Sequence, residues 1–374
     1  MDAHNIPNLN TLKTSRGRGG GLRSRALRLH QSGPYGEASK EAKDAIIQNT
    51  DQDAAQSRLS AVELGYLNDP FAKSFVQGPP VRRYPIINRG TYVRTTAIDH
   101  LIQRFLSASP SSQKQIISLG AGTDTRYFRL VKDNPDLRST LIYHELDFPT
   151  TTIAKVSTVQ RNTYLRSFLP SEPEFSSENS YMYTPTYNVH ALDLRDLAIA
   201  DPASLPNVRN LRRDIPTLLL SECCLIYLLP AVSTRIISSF TTHFLPTPVP
   251  LALVLYEPIH PHDPFGRIMV SNLSQRGIVL ESLETFHDLD AQRKRLKDAG
   301  FDSGQEGRSV LESWRQWIVE EEKERVAGCE MVDEIEEWEL LAGHYSICWG
   351  WRDGHDNEDL DVFSRAWKDL RQEG

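Results

Sequence analysis

Five short apolar runs constrain this chain most, because they run largely without alternation. They are Ile116 to Leu119, Leu141 to Leu146 (LIYHEL), Tyr187 to Leu192 (YNVHAL), Thr217 to Leu220 and Leu251 to Tyr256 (LALVLY). A strand with one wet face alternates apolar and polar residues, whereas these runs suit strands covered on both faces. Helical stretches separate them: Thr125 to Val131, then a stripe of Ile153, Val156 and Val159, then Val232 to Phe244. Strand and helix alternating in this way predict a doubly wound, mostly parallel sheet. One more strand is predicted at His344 to Trp351 (HYSICWGW), after a helix ending at Ala299-Gly300-Phe301.

Upstream of the sheet, residues 40 to 75 read as helical, with no strong breaker before Gly65. Pro79-Pro80 and Pro85 then impose an extended link. An amphipathic helix follows, with Val93, Ala97, Ile98, Leu101, Ile102, Phe105 and Leu106 on one stripe, closed by Pro110-Ser111-Ser112. The expected organisation of the 374 residues is a basic tail over 1–39 and a single domain over 40–374. Within that domain, 40–112 form a helical lid and 113–353 a Rossmann-like core. Residues 160 to 186 and 197 to 214, polar and dotted with proline, are excursions from the sheet.

Charge and composition narrow the function classes. The net charge is −7, yet residues 1–36 carry six Lys/Arg against Asp2 alone, which leaves −12 on the remainder. The tail has too few large apolar residues to offset its ordering entropy and is predicted disordered. An acidic body is a poor match for nucleic acid held along a broad groove. The best apolar stretch, Leu218 to Leu229 (LLLSECCLIYLL), is shorter than the roughly 20 residues a bilayer needs and carries Glu222. No membrane association is expected. The four cysteines form no C-x-x-C pair, and Cys223-Cys224 read as reduced thiols of a cytoplasmic protein. Nothing in the sequence demands more than a monomer.

In an open parallel sheet, ligands bind at the carboxyl ends of the strands. Four strand ends here carry a polar signature: Gly120-x-Gly122, Asp147, Asp193 and Glu222. The glycines alone would suit an ordinary tight turn or the turn of either of two cofactors. A dinucleotide wants a third glycine where this chain has Thr125, and has no use for carboxylates on the third and fourth strands. S-adenosylmethionine presents ribose hydroxyls, an adenine amine and an ammonium, all donors that suit carboxylate acceptors. Asp147, about 25 residues beyond the glycines, suits the ribose. Asp193 with the backbone of Leu194 suits adenine, and Glu222 suits the methionine ammonium or the sulfonium. The methionine carboxylate is left needing a cation.

At this point a resemblance becomes specific. LGAGTDTR, ELDFP, ALDLRDL and SECCLIYLLP together resemble the leucine carboxyl methyltransferase family. So do DAAQSRLSAVELGYLNDPFAKSF (Asp53 to Phe75) and INRGTYVRT (Ile87 to Thr95) upstream. YEPIHPHDPFGRIMVSNL (Tyr256 to Leu273) and EEWELLAGHYSICWGW (Glu336 to Trp351) extend the match downstream. The resemblance implies a class I S-adenosylmethionine-dependent methyltransferase fold. Its sheet would have seven strands, mostly parallel, with an antiparallel C-terminal strand and an added N-terminal helical lid. It further implies an enzyme that esterifies the C-terminal leucine of the catalytic subunit of a type 2A protein phosphatase. The family's cofactor contacts fall on Arg89, Gly120, Asp147, Asp193, Leu194 and Glu222, with Arg89 as the missing cation; Gly122 belongs to the same turn. The family usually has lysine where this chain has Arg58, so the charge is kept but not the donor geometry. Thr91 stands where the family often has an aromatic residue. Arg94, Tyr227 and Tyr256 are candidates for contact with the acceptor peptide.

A leucine α-carboxylate titrates near about 3.5 in simple peptides, so at neutral pH it is already the nucleophile and no catalytic acid or base is nominated. His260, His262 and Asp263 are not read as metal ligands, since proline separates the histidines. The acidic run Glu320 to Glu339 reads as a solvated helical face. Two other readings stay open: a carboxyl or O-methyltransferase acting on a small-molecule acid, and a silent module that caps the phosphatase tail. A sister branch that modifies a tRNA nucleoside carries an extra repeat domain, which this length does not accommodate.

Overall fold

The computed structural model describes residues 40–108, 113–199, 201–333, 335–354 and 361–371. The basic tail expected over 1–39 lies outside them. One sheet is built from β1 (Lys114–Leu119), β2 (Leu141–Asp147), β3 (Glu174–Phe175), β4 (Met182–Tyr183) and β5 (Tyr187–Ala191). It continues with β6 (Thr217–Glu222), β7 (Leu251–Pro258), β8 (Gly304–Ser309) and β9 (Tyr345–Arg352). The spatial order is β3-β4-β5-β2-β1-β6-β7-β9-β8. Strands β5, β2, β1, β6 and β7 are parallel, β9 enters antiparallel to β7, and β8 pairs antiparallel with β9. Seven of these strands are the sheet expected of a class I methyltransferase, with its antiparallel C-terminal strand. The two-residue strands β3 and β4 add a hairpin edge, drawn from the 160–186 excursion.

Lack of alternation has the expected cause. On β6, Leu218 and Leu220 join one apolar layer and Leu219 the other, and all three are fully buried. The chain order runs outward from β1 in both directions, so the switch point falls between β1 and β6.

Strand β8 (GQEGRS) carries no apolar run and is invisible to periodicity. Its glycines answer to β9 instead. A Cβ on Gly304 would collide with the Trp351 ring, and one on Gly307 would come within 2.7 Å of Cys348 Sγ. These are register partners on the neighbouring strand.

The helices over 40–107 play two roles. In the helix Pro85–Ser107, the later turns belong to the core: Ile98, Leu101, Ile102 and Phe105 are fully buried. Phe105 stacks on Phe363 at 4.7 Å, and the Trp367 indole donates to the Leu101 carbonyl at 3.1 Å. Its earlier turns, with the helix Lys40–Glu63, reach the carboxyl ends of the strands. The acidic run is not a single solvated face, because two of its carboxylates bind the helix Pro85–Ser107 and the residues before it. Glu322 accepts from the Tyr92 hydroxyl at 2.9 Å, and Glu330 from Arg82 at 2.6 Å and Asn88 at 2.8 Å. No helix among the described residues is long and apolar enough to cross a membrane.

The β8–β9 contact yields a direct test. Gly304→Val should lower stability by about 1–3 kcal/mol, the range for overpacking a filled core. The measurement is urea unfolding, in which the midpoint drops while the m-value stays unchanged.

Candidate active site

A cavity of about 410 Å³ lies at the carboxyl ends of β1, β2, β6 and β7. Its centre is the turn that leaves β1. Gly120 and Gly122 have φ of +64° and +49°, a region that glycine enters freely. Added Cβ atoms would collide with Cys224 on the first glycine and with Asp51 on the second. Thr125, at the position where a dinucleotide turn has glycine, is buried and donates its hydroxyl to Asp69. That side chain ties the turn to the loop after the first helix.

Charges are concentrated beneath this turn. Arg126 is fully buried, with Nε 3.0 Å from Asp99 and Nη1 2.5 Å from Asp124 and 2.7 Å from Glu222. The second oxygen of Glu222 holds Arg94, at 2.9 Å from Nε and 2.8 Å from Nη2. Burial opposes ionisation of Glu222, but Arg126, Arg94 and Arg58 outweigh it and hold the carboxyl down at about 2. Arg94 also lies over the Tyr256 ring at 4.4 Å. Arg58 is held more loosely, 3.5 Å from Asp69 and 3.4 Å from the Thr95 hydroxyl, and lines the cavity.

Asp147 ends β2 with each oxygen on one backbone donor: Oδ2 accepts from Gly122 N and Oδ1 from Phe148 N, both at 2.7 Å. Burial pushes its carboxyl up to about 6; the two N–H groups resist the rise and neighbouring Asp51 adds to it. Each oxygen keeps a lone pair for a further donor. Lys155 steadies the turn from below, donating to the Asp124 carbonyl at 2.7 Å and pairing with buried Glu145.

Gly120, Gly122, Asp147, Leu194, Glu222, Arg58, Arg94, Tyr227 and Tyr256 all line the cavity; Arg89 and Asp193 do not. Arg89 and Arg94 lie five residues apart on one helix, about 140° around its axis, so they face different neighbours. Arg94 faces the cavity. The Arg89 guanidinium lies among tryptophans, 5.3 Å from the Trp314 ring and 5.6 Å from that of Trp338. The cavity's cationic lining consists of Arg58, Arg94 and Arg276, the last paired with Asp53. Asp193 is occupied by its own near neighbour, accepting from the Arg195 backbone and Nε, each at 2.9 Å. Arg195 in turn reaches Asp44 of the helix Lys40–Glu63 at 2.9 and 2.7 Å. Only Leu194 of that pair contributes to the cavity wall.

Sequence reasoning missed three charged groups. Arg126 and Asp124 stood in the quoted turn, where a charged pair directly after a buried strand could have been singled out. Asp51 left no such signal. Its Oδ1 accepts from Thr123 N at 2.7 Å and from the Thr123 hydroxyl at 2.8 Å.

The sheet order, the glycine turn at the switch point and the carboxylate on the next strand define a class I methyltransferase, and the lining fits S-adenosylmethionine. Asp147 has acceptor capacity for ribose hydroxyls, the turn leaves no room for side chains, and Arg58 and Arg94 supply positive charge. A family model described as leucine carboxyl methyltransferase matches residues 46–241, and the chain belongs to that family. Leucine carboxyl methyltransferase 1 of Aspergillus fumigatus is 46% identical, over 99% of this chain and 98% of its own length. That of Emericella nidulans is 48% identical, over 95% and 96%. Human tRNA wybutosine-synthesizing protein 4 is 35% identical over 83% of this chain, but over only 45% of its own length. Among solved structures, a putative methyltransferase from Thermobifida fusca is a remote likeness. It is 14% identical over 80% of this chain and 92% of its own, with a TM-score of 0.42. The chain is thus a methyltransferase that uses S-adenosylmethionine to methylate a leucine carboxyl group.

Glu222→Gln should cost about 3–5 kcal/mol, because it leaves Arg126 and Arg94 short of a buried counter-charge. Since the folded carboxyl lies at about 2 against an ordinary value of 4.5, its contribution is present above 4.5 and fades as pH falls toward 2. Denaturant titrations across that window should show the variant losing less stability on acidification than the parent.

Proposed function

We propose that this enzyme methylates the C-terminal leucine α-carboxylate of the catalytic subunit of a type 2A protein phosphatase, in the cytoplasm. One observation carries the reading. Arg94 touches both Glu222, at the polar end of the cavity, and Tyr256, which stacks on Tyr345 at 5.5 Å. The lining also includes the apolar Met269, Leu273, Trp338 and Leu341, with Asn272 and Arg276 beside them. A cation at the border of a carboxylate-lined end and an apolar end suits an amino acid with an aliphatic side chain and a free carboxylate.

When bound, S-adenosylmethionine supplies a methyl group activated by its sulfonium. The chain's residues orient and shelter. Asp147 would accept from the ribose, the backbone at Leu194 would border the adenine, and Arg58 would offer its loosely held donors to the methionine carboxylate. Arg94 would face the leucine carboxylate, which is ionised at neutral pH because such groups titrate near about 3.5. No residue has to remove a proton. Alignment of the reacting groups is the main contribution, on the order of 7–11 kcal/mol at best. The helix Lys40–Glu63 limits water where opposite charges must meet and cancel.

The test is methyl transfer from labelled cofactor to the phosphatase catalytic subunit, with and without its terminal leucine. Label should appear only on the intact subunit. Label that survives loss of the leucine, or transfer to a free small acid without phosphatase, would overturn the proposal.

Cofactor affinity should depend on pH through Asp147. Its anion is the acceptor and its carboxyl lies at about 6, so affinity should level off above 6. Below that it should weaken by up to about tenfold per pH unit. Calorimetric titrations at several pH values check this, and Asp147→Asn should bind more weakly with a flattened profile.

A further inference from the structure

We propose that Asp51, carried by the helix Lys40–Glu63, is a second cofactor-binding carboxylate that shares the ribose hydroxyls with Asp147. The inference rests on the S-adenosylmethionine reading of the cavity. Its basis is that two carboxylates from separate parts of the chain hold consecutive peptide groups of one turn. Asp147 Oδ2 accepts from Gly122 N at 2.7 Å, and Asp51 Oδ1 accepts from Thr123 N at 2.7 Å. They therefore face the cavity side by side, and both line it. Asp51 also occupies the space that a Gly122 side chain would take, so the glycine is needed as much for this carboxylate as for the turn.

Two neighbouring, largely buried carboxylates repel one another, and each adds to the cost of keeping the other ionised. A ligand with two adjacent donors relieves that cost. Capacity remains on both sides. Among the described residues, each Asp147 oxygen holds a single backbone donor, and Asp51 Oδ2 has only the Gln52 amide at 3.4 Å. A vicinal diol carries two adjacent hydroxyl donors, so one can be given to each carboxylate.

Asp51 belongs to a segment otherwise attached by side-chain contacts, so a ligand that bridges Asp51 and Asp147 bridges the covering helix to the sheet. Ribose recognition and closure of the cavity then become one event, which is a positional role that β2 alone cannot supply.

The experiment is a calorimetric cycle with S-adenosylhomocysteine and its 2′,3′-dideoxy analogue on the parent, Asp51→Ala, Asp51→Asn and Asp147→Ala proteins. Removing the hydroxyls should weaken binding to the parent by tenfold or more, a change of about 1.4 kcal/mol. In Asp51→Ala the homocysteine ligand should bind about tenfold more weakly, and loss of the hydroxyls should matter several-fold less than in the parent. Asp51→Asn retains an acceptor for Thr123 and should show the same loss of coupling if the anion is what the diol reads. If the Asp51 and dideoxy effects simply multiply, the residue acts on structure alone and the inference is overturned. It is equally overturned if Asp51→Ala binds S-adenosylhomocysteine as tightly as the parent. A parent protein that binds neither ligand would instead sink the cofactor reading itself. Coupling in Asp147→Ala but not in Asp51→Ala would leave that reading standing and remove only Asp51.

Discussion

Burial of Arg126 is the constraint on which the rest of this site depends. A guanidinium with no exposed surface must find its counter-charge inside the protein, and it finds three carboxylates on three different elements. Asp124 lies in the glycine turn, Glu222 at the end of β6, and Asp99 on the helix Pro85–Ser107. The turn, the switch point and the helical layer above are thus locked to one another through a single side chain. Replacing it by an apolar residue would leave three desolvated carboxylates in place of one cation. The ionic floor is therefore better understood as fixing the relative position of these elements than as a source of net stability.

Around that floor, charges of opposite sign are shared rather than paired off. Asp99 serves both Arg126 and Arg129, and Glu222 serves both Arg126 and Arg94. Asp69 receives Arg58 at 3.5 Å and Arg129 at 3.8 Å as well as the Thr125 hydroxyl. The long contacts belong to Asp69. Arg58 consequently has the weakest hold on any counter-ion in the group while bordering the cavity, which makes it the cation most easily recruited by an incoming carboxylate.

Much of this was legible from residue order. Apolar runs, most of them ending in carboxylates, located six of the seven main strands and put Gly120, Gly122, Asp147, Leu194 and Glu222 at one end of the sheet. What could not be read was facing. Arg89 and Arg94 are equivalent as letters in INRGTYVRT, and only the 100° step of a helix whose phase is fixed by packing separates them. Asp193 was correctly placed at a strand end, but its partner Arg195 is set by a local turn that strand logic does not address. Strand β8 was hidden because its contribution to packing is made by Trp351 on the strand beside it.

The covering helix, expected as a helix from the sequence, shows most clearly why facing was hidden. Asp44, Gln48, Asp51, Ala55 and Arg58 recur at helical spacing, so they form one stripe, but a polar one. Each of its first three members binds the segment that follows a different strand: Asp44 takes Arg195 after β5, Gln48 takes the Thr150 hydroxyl after β2 at 2.7 Å, and Asp51 takes Thr123 after β1. Apolar burial on this helix is confined to its second half, at Ala55, Leu59 and Ala61. Hydrogen bonds of this kind contribute only about 0.5–1.5 kcal/mol each, net of the water they replace. A helix anchored by its apolar second half and fastened at its front by such contacts can release the front without disturbing the core. A continuous apolar stripe would have been easier to find in the sequence, and it would have sealed the cavity against the cofactor that has to enter it.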